Sequence, residues 1–448
     1  MKIYLKEVKK VYPELQIINY NPNVYFEDFN HDSRVKINNS LFIPIVGDKF
    51  DGHEFVQDAF ENGSVISLFQ KDRIVSKNFK EPIIIVEDIQ EGLEKLVSLM
   101  RSKIEVPVIG ITGSTGKTTT REMVASILSQ KGKILRSDRN FNTLWGNAQV
   151  ISKYNDHKYV VLEIGMDRKG EIELQCSALK PDLGILLNVG YVHAEKLEGI
   201  EGVYQEKKEL AEYLLKNNKP VFLNVDDSRV ARIKEMDGEI HTFGEQSSEF
   251  KIENISITQK GTYFEFLYKG ELYCVNLKIF GKGYAYNAIA SIALCHNLGF
   301  SVKECIEGLE KFNGFYGRFE VKKLNNQTTL INDAYNANPT SMIMALETFS
   351  SIWGDSKLRK ILVLGDMKEL GVVASEKHKE IGNIVKGMKA NKVFYIGEYF
   401  KDFQVGENCN NLDNLYDCLK SELGKHPNSV VLFKASNSMG LDTVINKL

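Results

Sequence analysis

The stretch VPVIGITGSTGKTTTREMVASIL, residues 106–128, decides the fold. Its first half is an apolar run ending at Thr112, the mark of a buried strand. Its second half carries Met123, Val124, Ile127 and Leu128 at the spacing that puts side chains on one face of a helix. Between the two halves, Thr112-Gly113-Ser114-Thr115-Gly116-Lys117-Thr118-Thr119 has the parts of a phosphate-binding loop. Glycines let backbone N–H groups face phosphate oxygens, the lysine reaches the β- and γ-phosphates, and a threonine hydroxyl suits Mg2+. The helix start adds its positive end at the same point. A strict G-x-x-x-x-G-K-[ST] pattern needs glycine at position 111, where this chain has Ile111. Strand and helix still fall where phosphate binding needs them, so the loop predicts ATP binding rather than an incidental glycine turn.

Working outward, strands are predicted over 159–164, 183–189 and 221–224 with helical patterns between them, which makes a mostly parallel sheet. An alternating, strand-rich insert covers about 250–280. A second alternation begins near Phe315, with strands over 329–332, 361–365, 393–396 and 430–433 and helices over 341–349, 375–388 and 414–423. That pattern predicts a separate doubly wound, Rossmann-like domain. Upstream, residues 1–86 mix short apolar runs with polar loops, as a small α/β module does, and 90–101 reads as a connecting helix. The fold class is therefore α/β in three domains, 1–86, 87–314 and 315–448, which agrees with 448 residues at about 150 per domain.

Lys plus Arg number 57 and Asp plus Glu 59, a formal charge of −2, so nothing global recruits nucleic acid or an anionic membrane. Any anionic ligand must be held by local positive groups. The six cysteines are scattered without a C-x-x-C, which reads as reduced, structural thiols. No apolar run approaches the roughly 20 residues of a membrane helix, and the first residues lack the apolar region of a secretory signal. Membrane insertion is not expected, and the cytoplasm is.

The variant loop T-G-x-x-G-K-T resembles that of the Mur ligase family, and other segments agree. Leu162-Glu163-Ile164-Gly165-Met166 with Gly170-Glu171-Ile172, Asn188-Val189-Gly190-Tyr191-Val192-His193, and Leu364-Gly365-Asp366-Met367-Lys368-Glu369-Leu370-Gly371 followed by His378 are similar to family motifs. The most specific is Asn332-Asp333-Ala334-Tyr335-Asn336-Ala337-Asn338-Pro339-Thr340-Ser341-Met342, which resembles the branch that adds D-alanyl-D-alanine. Asp32-Ser33-Arg34, 41–44 and Asp51-Gly52-His53-Glu54-Phe55 resemble the family's uridine-nucleotide module. The resemblance spans nearly the whole chain. It implies a cytoplasmic, monomeric ATP- and Mg2+-dependent ligase of peptidoglycan precursor synthesis, with UDP-N-acetylmuramoyl-tripeptide and D-alanyl-D-alanine as its partners and an acyl phosphate as intermediate.

Under that resemblance the residues acquire roles. Lys117 neutralises charge during phosphoryl transfer. Thr118 and Glu163 are hard oxygen ligands for Mg2+; read alone, Glu163 is equally a solvated carboxylate at a strand end. His193 is implied as ligand to a second Mg2+, although a lone histidine is as readily structural. In the predicted helix 203–216, Val203, Leu210, Ala211 and Leu214 share a face with Lys207 and not with Lys208. Lys207 is thus the inward lysine, either snorkelling at a helix rim or, as the family implies, carbamylated into an anionic metal ligand. Asn287, Arg318, Asp333 and Asn336 are implied in nucleotide binding, and Ser33, Arg34, Asp51, Asn142, Tyr335 and Asn338 in binding the other substrates. Asn336, Asn338 and Pro339 also read as turn formers. Because the phosphate loop and Arg318 fall on different predicted domains, catalysis is expected to require closure.

Three places depart from the family pattern. G-x-H-N-x-x-N is here Gly281-Lys282-Gly283-Tyr284-Ala285-Tyr286-Asn287, and the usual G-S-R-x-M-x-x-E is Ala435-Ser436-Asn437-Ser438-Met439-Gly440-Leu441-Asp442. In the loop Asn140-Phe141-Asn142-Thr143-Leu144-Trp145-Gly146, Trp145 replaces a small aliphatic residue. These changes leave open a paralogous amide ligase with another acceptor amine or acyl donor. A binding protein without turnover would be expected to have lost Lys117, Glu163 or Lys207, and all three are present.

Overall fold

The strand Val108–Thr112 is buried at every position, and the helix that follows, Lys117–Leu128, buries Met123, Val124, Ile127 and Leu128 completely. The computed structural model describes residues 1–448 except 48–49, 74–78, 138–140, 193, 325–326 and 404, and only the backbone of 402–403. The chain forms two compact units: residues 1–112, 128–184 and 209–220 make the first, and 113–127, 185–208 and 221–448 the second.

The first unit holds a five-stranded sheet in the order Gln16–Ile18, Ile83–Val86, Ser64–Gln70, Ser40–Phe42, Asp28–Asn30, parallel except for the first pair. It also holds the parallel strands Val108–Thr112, Tyr159–Glu163 and Ile134–Arg136, with Tyr159–Glu163 between the other two. The predicted connecting helix is Ile89–Arg101, started by Asp88, whose carboxylate accepts from the N–H groups of Gln90 and Glu91. Its apolar face packs against the helices Leu144–Ser152 and Glu171–Leu179. Its last residue, Arg101, is buried and donates to the carbonyls of Leu179, Ile104 and Lys180 and to the Asp182 carboxylate. Those bonds offset the cost of burying a guanidinium.

In the second unit, Val221–Asn224 and Ile240–Gly244 run parallel and lead into Phe250–Thr258. From there the insert is an antiparallel meander, Phe250–Thr258, Gly261–Tyr268 and Glu271–Leu277. The helix Lys282–Asn297 is buried on most of its surface. The C-terminal part is a six-stranded sheet in the order Glu320–Lys323, Thr329–Asn332, Ser429–Lys434, Arg359–Gly365, Lys392–Ile396, Glu407–Asn408, parallel beyond its first pair. Its helices Pro339–Trp353 and Leu412–Lys425 extend the predicted ones by a few residues, Ala374–Gly387 is offset by one residue from its prediction, and Asn338 caps the first with Pro339 at its opening position. Parallel strands deliver ligand-binding side chains at their carboxyl ends. Here Asp333 follows the strand Thr329–Asn332, and Lys434 ends Ser429–Lys434. All six cysteines are free thiols, four of them buried. Among the described residues no helix is long and apolar enough to cross a membrane.

Candidate active site

The phosphate loop is held open by its own backbone. Gly113 and Gly116 have φ of 156° and 86°, and a Cβ on Gly116 would lie 2.5 Å from Asn287 Oδ1. Only glycine suits position 116, where the backbone is left-handed and the neighbour close. A second loop braces the first. The N–H of Ser114 donates to the Asn188 carbonyl (3.0 Å), that of Thr115 to Asn188 Oδ1 (2.9 Å), and the Ser114 hydroxyl exchanges bonds with Gly190. Lys117 Nζ donates to the Gly113 carbonyl at 2.6 Å, which curls the lysine back over the loop. Thr112 ends its strand with a buried hydroxyl that has no partner among the described residues.

A cavity of about 740 Å³ opens beside this loop, within the second unit. Thr115, Gly116, Thr119, Asn287, Arg318 and Asp333, all named from the sequence for ATP, line it together. Asn336 does not; its side chain accepts from the Ala337 N–H and its carbonyl from Lys434. Arg318 stacks over the Tyr335 ring at 4.1 Å, and its Nε is buried without a partner among the described residues. An orphaned guanidinium nitrogen at the wall of a cavity is a donor waiting for an anion. Asp333 fixes the turn by accepting from the Phe319 N–H (3.0 Å), where Phe319 holds a φ of 51°.

Sequence reasoning missed two cavity residues of consequence. Lys434, 2% exposed, pairs with Asp333 at 2.8 Å; burial pulls its pKa below the ordinary value against the pull of that carboxylate. Asp226 receives the Tyr286 hydroxyl at 2.5 Å and the N–H groups of Glu245 and Gln246. Its position just past the strand Val221–Asn224, at a carboxyl end, was the available signal. The departures at 283–284 also sit here. A Cβ on Gly283 would meet Met344 Cε at 1.9 Å, so the methionine fills space a larger residue would take, and the half-buried Tyr284 donates to the Arg318 carbonyl. At the other departure, Asn437 donates to the Tyr335 carbonyl.

Of the residues implied for metal, Lys207 is 1% exposed in the helix Ile200–Lys216 while Lys208 is half-buried, as the face argument predicts. Burial first, and then the charge of Lys117, push its pKa well below the ordinary value; Glu206 opposes them. Thr118 lies in the first turn of Lys117–Leu128. Glu163, in the first unit, is 2% exposed; its N–H donates to Ser137 and its carbonyl accepts from Asn147. His193 lies outside the described residues. Among the described residues no three His, Cys, Asp or Glu side chains converge on one point. The implied donor set of hydroxyl, carboxylate, imidazole and carbamate is of another composition.

The remaining substrate residues divide between the units. Ser33 is buried, and the exposed Arg34 pairs with Asp32 at 2.8 Å. That pairing, first through the Arg34 side chain and then its N–H, holds the Asp32 carboxyl at about 2. Asp51 accepts from the His53 N–H and ring and pairs with Arg73. Against partial burial, those contacts keep its carboxyl below the usual range. The Asn142 carbonyl accepts from the Gly165 N–H. In the second unit Asn338 Oδ1 is used as the helix cap, accepting from Ser341.

Residues 111–295 match the Mur ligase middle domain, and 317–437 the Mur ligase, glutamate ligase domain. The chain is 31% identical over 430 residues to the UDP-N-acetylmuramoyl-tripeptide--D-alanyl-D-alanine ligase of Bacillus subtilis, covering 93% of this chain and 92% of that one. It is similar in structure to MurF from Acinetobacter baumannii, with a TM-score of 0.90, 25% identity and coverage of 100% and 99%. The MurF ligase of Thermotoga maritima in complex with ADP gives 0.82 at 27% identity, covering 94% and 96%. With a braced phosphate loop and a nucleotide-sized cavity already in place, the chain belongs to the Mur ligase family, on the branch formed by these D-alanyl-D-alanine-adding enzymes.

Proposed function

We propose that this chain is the ATP-dependent carbon–nitrogen ligase that joins D-alanyl-D-alanine to UDP-N-acetylmuramoyl-tripeptide. The full-length match to a ligase of that activity carries the reading, and the cavity supports it by gathering six of the residues named for ATP. A carboxylate of the donor attacks the γ-phosphorus and ADP leaves. The amine nitrogen then attacks the acyl carbon of the acyl phosphate, phosphate leaves, and the amine proton is lost. Lys117 and the phosphate-loop N–H groups stabilise the charge of the transferred phosphoryl group. Arg318, whose Nε has no partner among the described residues, supplies a further cation from the cavity lining. Asp333 and Asn287 position the nucleotide, and Tyr335 and Asn338 are assigned to the incoming amine.

Thr118, Glu163, His193 and Lys207 would hold Mg2+, which supplies charge neutralisation when bound. The chemistry of Lys207 fits, because a fully buried amine whose charged form is disfavoured reacts with CO2, and the resulting carbamate is an oxygen donor facing Lys117. Ser33, Arg34, Asp51 and Asn142 are assigned to the UDP-linked donor. The functional division is 1–86 for the uridine nucleotide, 87–314 for ATP and 315–448 for the acceptor. The protein acts as a monomer in the cytoplasm.

A second reading, a related ligase with a different amine, is favoured by Asn437 and by the Gly283–Met344 packing at positions where the family differs. One experiment separates the two: phosphate release with ATP and the UDP-linked tripeptide across a panel of amines. Release that depends on D-alanyl-D-alanine is expected. Release only with another amine transfers the assignment to the second reading.

A further inference from the structure

Outside the residues assigned above, the first unit contains a small aromatic cluster with an unmet polar atom. The rings of His31 and Trp145 lie 4.2 Å apart at 41°, and Phe141 meets Trp145 edge-on at 5.9 Å. All three side chains are half-buried. His31 Nδ1 is buried and has no hydrogen-bond partner among the described residues. Burial, opposed by the Asp32 charge, also lowers the His31 pKa, which favours the neutral ring with its one N–H and one lone pair. A buried nitrogen left unbonded costs free energy unless a ligand completes it.

The location gives the ligand. His31 immediately precedes Asp32-Ser33-Arg34, and that turn is set rigidly. The Asp32 N–H donates to Asn30 Oδ1, the Arg34 N–H to Asp32 Oδ1, and Asn62 to the Ser33 carbonyl. Trp145 stands in the first turn of the helix Leu144–Ser152, capped by Thr143. The loop before that helix is tied through Asn142 to Gly165, two residues beyond Glu163. Gln149 and Ser152 of the same helix bond Phe29 and Asp28, just upstream of His31. The stack therefore joins a turn assigned to the nucleotide end of the donor to a loop tied next to Glu163, assigned to the Mg2+ that serves the donor's reacting end. In a UDP-N-acetylmuramoyl compound the group between those ends is the N-acetylated hexosamine.

We propose that His31 and Trp145 form the sugar subsite of the donor. The apolar face of the hexosamine ring packs on the indole, and its acetamido group completes the bond at His31 Nδ1. Aromatic rings suit this task because they offer a flat apolar face at low entropic cost. The proposal rests on the donor assignment made under the proposed function. It makes Trp145 a specificity determinant.

The test compares binding of UDP-N-acetylmuramoyl-tripeptide and of UDP alone to wild type, H31A, W145L and W145F, with thermal melts as the check on folding. Expected are donor affinities about tenfold weaker in H31A and W145L, substantial recovery in W145F, and equal binding of UDP by all four. Steady-state rates should show the donor KM raised and the ATP KM unmoved. Trp145 and Trp353 are the two tryptophans of the chain, so a donor-induced emission change seen in wild type should vanish in W145L. Donor binding within twofold of wild type in both H31A and W145L overturns the subsite, as does an equal loss for UDP. A wild-type chain that does not bind the donor at all refutes the assigned function itself.

Discussion

Lys207 and Lys434 are both closed off from solvent, at 1% and 2% exposure, and they tolerate burial by opposite means. Lys434 keeps a carboxylate partner in Asp333 and a carbonyl in Asn336. For Lys207 burial first, and then the repulsion of Lys117, favour the neutral amine against Glu206, and hence its reaction with CO2. Lys207→Ala is therefore expected to lower turnover by about 100-fold, with partial rescue by formate or acetate, and wild type should lose rate in CO2-stripped buffer. Full activity in Lys207→Ala would exclude the carbamate. For Lys434→Met the expectation is structural as well as kinetic. Removing one member of a buried pair strands the other, at a cost of about 3–5 kcal/mol, measurable by urea unfolding. The double variant Lys434→Met/Asp333→Asn should recover much of that loss, because the stranded charge goes too. The sequence makes Asp333 visible through its motif, but Lys434 falls one residue past the predicted strand 430–433 and no motif singles it out. Its burial depends on the loop 333–338 folding over it, which no local pattern encodes.

At the level of elements, legibility follows burial. The parallel strands Val221–Asn224 and Thr329–Asn332 are buried at every position and stand out as apolar runs at the predicted bounds. In the N-terminal module the strands Ile3–Tyr4, Gln16–Ile18 and Tyr25–Phe26 have two or three residues, too few for any periodicity to register. The helix Ala374–Gly387 was legible as an element, but not the bond that anchors it. His378 Nε2 accepts from the Met367 N–H at 2.9 Å and Nδ1 donates to the Ala374 carbonyl at 2.7 Å, so the neutral ring is used at both nitrogens. The ring faces Asp366 and Lys368 and stacks on Tyr399. Burial lowers its pKa, and Lys368 adds to that against Asp366 and the Ala374 carbonyl. Above about pH 6.5 neither the folded nor the unfolded chain binds a proton here, and the residue adds no pH slope. As pH falls below that value the unfolded chain takes up a proton that the folded one refuses. Stability is then lost, by about 1.4 kcal/mol for each unit by which the folded pKa is depressed. Denaturant midpoints measured from pH 7.5 to 5 should fall more steeply for wild type than for His378→Gln. Equal slopes would remove His378 from the acid response.

For the whole molecule, the phosphate loop and Arg318, which the sequence places on different predicted domains, both line one cavity within the second unit. Every residue lining that cavity belongs to the second unit, whereas Ser33, Arg34, Asp51 and Asn142 all belong to the first. A net charge of −2 is compatible with two anionic ligands because each unit carries its own local cations, Arg34 in one and Lys117, Arg318 and Lys434 in the other. Ligand binding stabilises the folded form of whatever binds it, by about 2.7 kcal/mol at a hundredfold excess over Kd. The two ligands should thus protect different parts of the chain from hydrogen exchange. Saturating ADP is expected to slow exchange in 113–127, 221–227, 281–291 and 317–335, with little change in 28–35 and 141–146. UDP-N-acetylmuramoyl-tripeptide should do the converse, slowing 28–35 and 141–146 most. The measurement is hydrogen–deuterium exchange read by mass spectrometry on the intact chain with each ligand alone. Protection of 28–35 by ADP as strong as that of the phosphate loop would show that the units respond as one body, and the division of ligands between them would then fail.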